Sequence, residues 1–192
     1  MGIVNGADRL NGQVDRPAYL GGFTLNDACD QWSVTAVGFS SDEPNATPGA
    51  VSQLNMYSVV ATYNIDRCTQ FALEHDLANQ QNFAGGASAQ WYSIASYVYH
   101  TLNDQWKAGL RAEWFRDDDG VRVRGLRAGN PAIGGYQGNF YSFTAGLNYS
   151  PRPNLMFRPE VRYDIFEGVG LPFDDAARTR QFTAAFDMIL RW

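Results

Sequence analysis

Residues 181–192 read Gln181-Phe182-Thr183-Ala184-Ala185-Phe186-Asp187-Met188-Ile189-Leu190-Arg191-Trp192. Taken in alternation, Phe182, Ala184, Phe186, Met188, Leu190 and Trp192 share one side, and Gln181, Thr183, Ala185, Asp187, Ile189 and Arg191 share the other. Side chains in a strand alternate with a period of two, so this strand has one apolar and one largely polar face. Such a strand suits a transmembrane β-barrel, whose wall shows one face to lipid and the other to a wet interior. Phe186, Met188, Leu190 and Trp192, an apolar row ending on an aromatic, form the candidate C-terminal assembly signal.

The same alternation recurs upstream. Leu155, Phe157, Val161, Tyr163 and Ile165 oppose Arg158, Glu160, Arg162 and Asp164. Tyr141, Phe143, Ala145, Leu147 and Tyr149 oppose Ser142, Thr144, Gly146 and Asn148. Trp106, Ala108, Leu110, Ala112 and Trp114 oppose Lys107, Gly109, Arg111 and Glu113, and Tyr57, Val59, Ala61 and Tyr63 oppose Ser58, Val60, Thr62 and Asn64. Ten strands are predicted: 2–7, 18–25, 31–39, 54–65, 69–77, 89–101, 105–116, 139–149, 155–166 and 180–192. In the sixth both faces carry aromatics, so its facing is open. A charged row backing an apolar row does not fit the core face of a soluble sandwich, which buries apolar against apolar.

The connections support the same reading. Short turns at 26–30, 66–68, 102–104 and 150–154 alternate with long loops at 40–53, 78–88, 117–138 and 167–179. Outer-membrane barrels have short periplasmic turns and longer external loops. The fold class expected is therefore all-β, an antiparallel up-and-down transmembrane β-barrel. Trp106, Trp114, Tyr141 and Tyr149 would form its interfacial girdles.

Composition agrees. The 192 residues include 5 Trp, 10 Tyr, 12 Phe and 19 Gly. Mean hydropathy is −0.33, and no run approaches the roughly 18 apolar residues of a membrane helix. Lys107 is the only lysine and the formal net charge is −5, so nucleic acid is not an expected partner, because phosphate binding favours a concentrated basic surface. Two cysteines, Cys29 and Cys68, fall in short turns, and whether they are bridged stays open. Met1–Gly6 shows no basic segment followed by an apolar one, so a mature chain or the C-terminal part of a longer protein is expected.

The stretches Trp106-Lys107-Ala108-Gly109-Leu110-Arg111-Ala112-Glu113-Trp114-Phe115-Arg116-Asp117-Asp118-Asp119-Gly120, Phe143-Thr144-Ala145-Gly146-Leu147-Asn148-Tyr149 and 155–164 resemble the OmpL-like β-barrel porins of Gram-negative outer membranes. The likeness is strongest over 56–192. It implies an outer-membrane location and a single barrel domain over 1–192 that forms the C-terminal part of a longer barrel. It brings no catalytic residues, no cofactor and no selectivity motif.

Arg111, Glu113, Arg158, Glu160, Arg162, Asp164, Asp187 and Arg191 are the candidate pore-lining residues, since charge on a lumen wall sets ion selectivity. Equally, opposite charges there can pair and fill a narrow interior. The expected function is a porin-like channel for passive diffusion of ions or small hydrophilic solutes, with a non-conducting structural or ligand-binding barrel as the alternative. Expected partners are outer-membrane lipid, the barrel-assembly machinery, small hydrophilic solutes and further copies of the chain.

Other features read more plainly. Asp117, Asp118 and Asp119 lack the alternating ligands of a calcium loop and read as an acidic, solvated loop tip. The segment 117–138 reads as a mobile surface loop by default, although it is long enough to enter a lumen. His75, expected near the external end of its strand, and Asp76 point to opposite faces, while His100 lies near the other end, so no catalysis is expected. Pro159, which removes a ladder donor, predicts a bulge in the ninth strand.

Overall fold

The computed structural model describes residues 1–7, 16–44, 50–83, 86–123 and 135–191. Within them the chain forms β1 (Gly2–Val4), β2 (Ala18–Asn26), β3 (Trp32–Pro44), β4 (Val51–Asn64), β5 (Thr69–Gln81), β6 (Ala89–Asn103), β7 (Trp106–Asp117), β8 (Gly138–Arg152), β9 (Leu155–Gly168) and β10 (Arg180–Leu190). They make one sheet in sequence order, each strand antiparallel to the next, with β1 and β10 at its edges. This is the up-and-down wall expected from the alternation.

Exposure shows which way the wall is turned. On the apolar rows, Leu110 is 59%, Phe143 51% and Val161 45% exposed, whereas the polar rows bury Ser142 to 4% and Asp164 to 7%. A water-soluble sheet does the reverse, because burying apolar area is its main driving force. The convex face is therefore the lipid face, and the concave face is the interior.

On the convex face Trp106 stacks on Tyr149 at 4.3 Å between ring centroids, and Trp114 meets Tyr92 edge-on at 5.6 Å. The two tryptophans lie eight residues apart on β7. That is about 26 Å along a strand and about 20 Å along the membrane normal at a tilt near 40°. The pairs thus sit at opposite margins of the apolar band, as aromatic girdles do.

Several strands run further than the apolar alternation marks. β3 continues to Pro44, β4 begins at Val51 and β5 continues to Gln81. Ser41, Asp42, Glu43, Ser52 and Gln53 are polar on both faces, so the ladder outlives the pattern that signals it. In β6, Trp91, Ser93, Ala95, Tyr97 and Tyr99 share the interior face with Glu113 and Arg111, while Tyr92, Ile94 and Val98 face outward.

Pro159 carries no bulge. It pairs with Phe186, and the β8–β9 register is the same at Gly146↔Glu160 and at Tyr149↔Phe157; the shift falls at Arg152 instead. Proline here removes a local rung without adding a residue, so the facing of Arg158 and Glu160 stands as read from the sequence.

The short turns at one end share a device. The side chain of Asp66 accepts from the N–H groups of Cys68 at 2.7 Å and Thr69 at 2.8 Å. Asp27 does the same for Cys29, and Asn103 for Gln105 and Trp106. An Asx side chain that caps its own turn replaces backbone partners in few residues, which keeps these turns short. Cys29 and Cys68 are free and exposed.

Candidate functional site

The ladder register arranges the interior charges in rows. Glu74, Ala95, Glu113, Ser142 and Asp164 follow one another across β5 to β9. One step along each strand on the same face lies the row Ala72, Tyr97, Arg111, Thr144, Arg162 and Thr183. An acidic row thus adjoins a basic row on one wall, and the salt bridges run between them. Arg111 Nη2 lies 2.6 Å from Glu113 Oε2, and Arg162 Nε lies 2.7 Å from Asp164 Oδ1. Both pairs are separated by two residues on one strand, the spacing that places side chains on the same face. Across strands, Arg158 holds Asp187 in a two-bond fork with both distances 2.7 Å.

The arginines are shared with aromatic rings and hydroxyls. Arg111 lies over the Tyr97 ring at 5.6 Å, and the Tyr97 hydroxyl donates to Glu74 at 2.8 Å. Ser93 donates to Asp76 at 3.0 Å, and Lys107 lies over Tyr99 at 5.1 Å. Ser142 Oγ and Thr144 Oγ1 are buried without a protein partner.

Towards the long-loop end the interior turns aromatic. Phe140 packs on Phe166 at 4.6 Å and on Phe115 at 6.0 Å, and Tyr136 meets Phe166 edge-on at 6.1 Å. The base of the loop between β7 and β8 is folded onto this shelf. Asp117 is fully buried, and its carboxylate accepts from the N–H groups of Val121 at 3.0 Å, Arg122 at 2.7 Å and Val123 at 2.9 Å. Val121 packs against the cluster of Leu54, Ala78, Ala89 and Trp91, and the Arg122 guanidinium lies over Trp91 at 5.8 Å. Tyr136 N–H donates to Val123 C=O at 2.8 Å, which ties the returning strand of the loop to its outgoing one. Gly135, at φ +82°, permits this contact, since a Cβ there would meet Gly120 O at 2.0 Å.

Two expectations are corrected by this arrangement. The described base of the loop is a packed inward turn rather than a mobile surface segment. Of the three aspartates, Asp117 is buried and caps the turn, Asp118 is half-buried against Arg116 at 2.7 Å, and Asp119 stays exposed while accepting from Gln90 N–H at 2.9 Å. The part of the loop holding Arg124, Arg127, Gly129 and Gly134 lies outside the described residues.

The other sequence candidates fall as follows. Arg111, Glu113, Arg158, Glu160, Arg162, Asp164 and Asp187 share the interior face. Arg191 lies past the end of β10, its N–H bonded to Asn154 C=O at 2.9 Å. Phe186, Met188 and Leu190 are exposed on the convex face, whereas Trp192 lies outside the described residues. His75 is not near the external end of β5 but near its middle, on the convex face opposite Val59 and Ile94 and stacked on Tyr57 at 5.6 Å. Asp76 points inward to Ser93, so the two are indeed on opposite faces. His100 Nδ1 lies 2.9 Å from Thr69 Oγ1 in the short-turn region. Sequence reasoning missed Glu74, Asp76, Tyr97 and Asp117 as interior groups. The parity of Phe71, Leu73 and Leu77 carries the signal for the first two, but nothing local marks Asp117.

An up-and-down sheet with an apolar convex face, aromatic girdles and a charged interior defines the transmembrane β-barrel class. The chain belongs to the family described as "Putative beta-barrel porin-2, OmpL-like", whose model matches residues 1–192. No curated protein and no solved structure matches the chain. Family membership points to a membrane protein that acts as a channel rather than an enzyme.

Proposed function

We propose that the protein is an outer-membrane channel for passive diffusion of ions and small hydrophilic solutes. The observation that carries this reading is the pair of adjacent rows on the concave face, one holding Glu74, Glu113 and Asp164 and the other Arg111 and Arg162, backed by an apolar face turned outward. Fixed charge and hydroxyls along a wall replace part of an ion's hydration and lower the cost of passage. Arg111, Glu113, Arg158, Glu160, Arg162, Asp164 and Asp187 are assigned as lining residues, with Arg191 at the rim. Lipid surrounds the convex face. The row Phe186, Met188, Leu190 and Trp192 is what the assembly machinery would read, and further copies of the chain can associate in the bilayer.

One observation favours the second reading, a non-conducting barrel whose loops serve another role. The inward loop base and the shelf of Trp91, Phe115, Phe140 and Phe166 fill the interior towards the long-loop end. Single-channel recording in a planar bilayer separates the two. Discrete steps from the wild-type chain support the channel. Removing the cap with Asp117→Ala leaves three N–H groups without their acceptor and releases Val121 and Arg122, so larger steps are expected from this variant. Silence from both proteins, with strand content intact by circular dichroism, would establish the closed barrel.

A further inference from the structure

We infer that the lumen prefers cations over anions, and that Glu74, Asp76 and Glu160 carry the preference; this rests on the channel reading above. The interior wall has both signs of charge, but pairing cancels them unequally. Arg111, Arg158 and Arg162 are each held by a carboxylate, Glu113, Asp187 and Asp164 respectively. Their fields at the centre of the lumen are those of dipoles, which fall off faster than those of single charges.

Three carboxylates on the same face have no such partner among the described residues. Glu74 is held by the Tyr97 hydroxyl and Asp76 by the Ser93 hydroxyl. These neutral donors stabilise the anions without cancelling them. Glu160 sits between Arg158 and Arg162 on β9, yet both arginines are bonded elsewhere. Against the three, among the described residues, stand Lys107, the one strand cation on this face without a carboxylate, which lies over the Tyr99 ring near the short-turn end, and Arg191 at the rim of that same end. Arg122 lies at the opposite end over Trp91. The middle of the wall is therefore left with net negative charge. A low-dielectric wall focuses such a field into the lumen, raising the local concentration of cations and lowering that of anions. The solutes favoured are small hydrophilic cations, with neutral solutes unaffected.

The test is the reversal potential of the full chain in a planar bilayer under a potassium chloride gradient. A potassium-to-chloride permeability ratio above one is expected for the wild type. The triple variant Glu74→Gln, Asp76→Asn, Glu160→Gln keeps acceptors for Tyr97 and Ser93 and should move the ratio most of the way to one. Lys107→Gln provides a second arm that leaves the three carboxylates in place, and it should raise the ratio. A wild-type ratio at or below one overturns the inference while the measured conductance keeps the channel. A ratio unchanged in both variants overturns the assignment to these residues. Absence of conductance overturns the channel reading and this inference with it.

Discussion

Asp66 shows how much one side chain can specify. Its carboxylate accepts from Cys68 N–H, Thr69 N–H and the Thr69 hydroxyl, closing the β4–β5 turn in four residues. The bond from the Cys68 amide, followed by that from the Thr69 hydroxyl, holds its pKa below the ordinary carboxylate value of 3.8. A carboxyl with a depressed folded pKa stabilises the turn fully above its unfolded pKa and loses that effect as pH falls through the folded value. Protection of the Cys68 and Thr69 amides, measured against their intrinsic exchange rates, should therefore hold down to about pH 4 and fall below it. Asp66→Asn should remove this pH dependence while keeping an acceptor. A protection factor unchanged across this range in the wild type would falsify the role given to the carboxylate. The shortness of this turn was legible in the sequence, whereas the side-chain cap that closes it emerged only from the structure. Asp117, the same residue type, was misread, because its three partners lie in a segment whose inward path no local pattern records.

At the scale of the element, each strand tells its two environments apart by parity. The convex row Leu110, Ala145, Val161 and Ala184 runs midway between the two aromatic margins. An arginine at Ala184 would be placed in the middle of the apolar band, where it costs about 2–4 kcal/mol. The neighbouring Thr183 faces the interior beside Arg162, where Thr183→Arg should cost far less. Equilibrium unfolding in lipid vesicles should show a clear loss of stability for Ala184→Arg and a small one for Thr183→Arg. Equal losses would mean that β10 does not keep this facing in the bilayer. The order and number of the strands, and the facing of all but the sixth among the later ones, were readable because apolar residues alternate with polar ones wherever lipid and lumen flank the wall. The strand extensions at Ser40–Pro44, Val51–Gln53 and Ala78–Gln81 were not, since polar residues occupy both faces there, with Ser41, Glu43 and Ser52 buried on the inner one, and the alternation stops. Pro159 was read as a bulge, yet the flanking pairs keep the register and need no extra residue.

The whole molecule adds properties that no strand holds. A cation preference created by the net field of the wall, rather than by one tight site, must be screened by salt. The Debye length is about 10 Å at 0.1 M and about 3 Å at 1 M. The potassium-to-chloride permeability ratio should therefore decline towards one as the mean salt concentration is raised across this range. A ratio independent of salt would point to a short-range binding site instead. The same scale decides the pairing of charge. The run Arg158 to Asp164 announces a charged face, but its sequence does not say that Arg158 reaches across to Asp187 while Arg162 turns along its own strand to Asp164.

The division between sequence and structure follows from the range of the forces involved. A period of two, aromatic margins and Asx turns are local records of lipid, interface and water, so the sequence alone determined a ten-stranded up-and-down wall and which face carries charge. The inward fold of the β7–β8 loop base, the cancellation of three arginines and the three carboxylates left over depend on strands distant in sequence being brought to adjacent rows. Only the tertiary structure decides those, because ladder register and loop packing are properties of pairs of elements and are written in neither one alone.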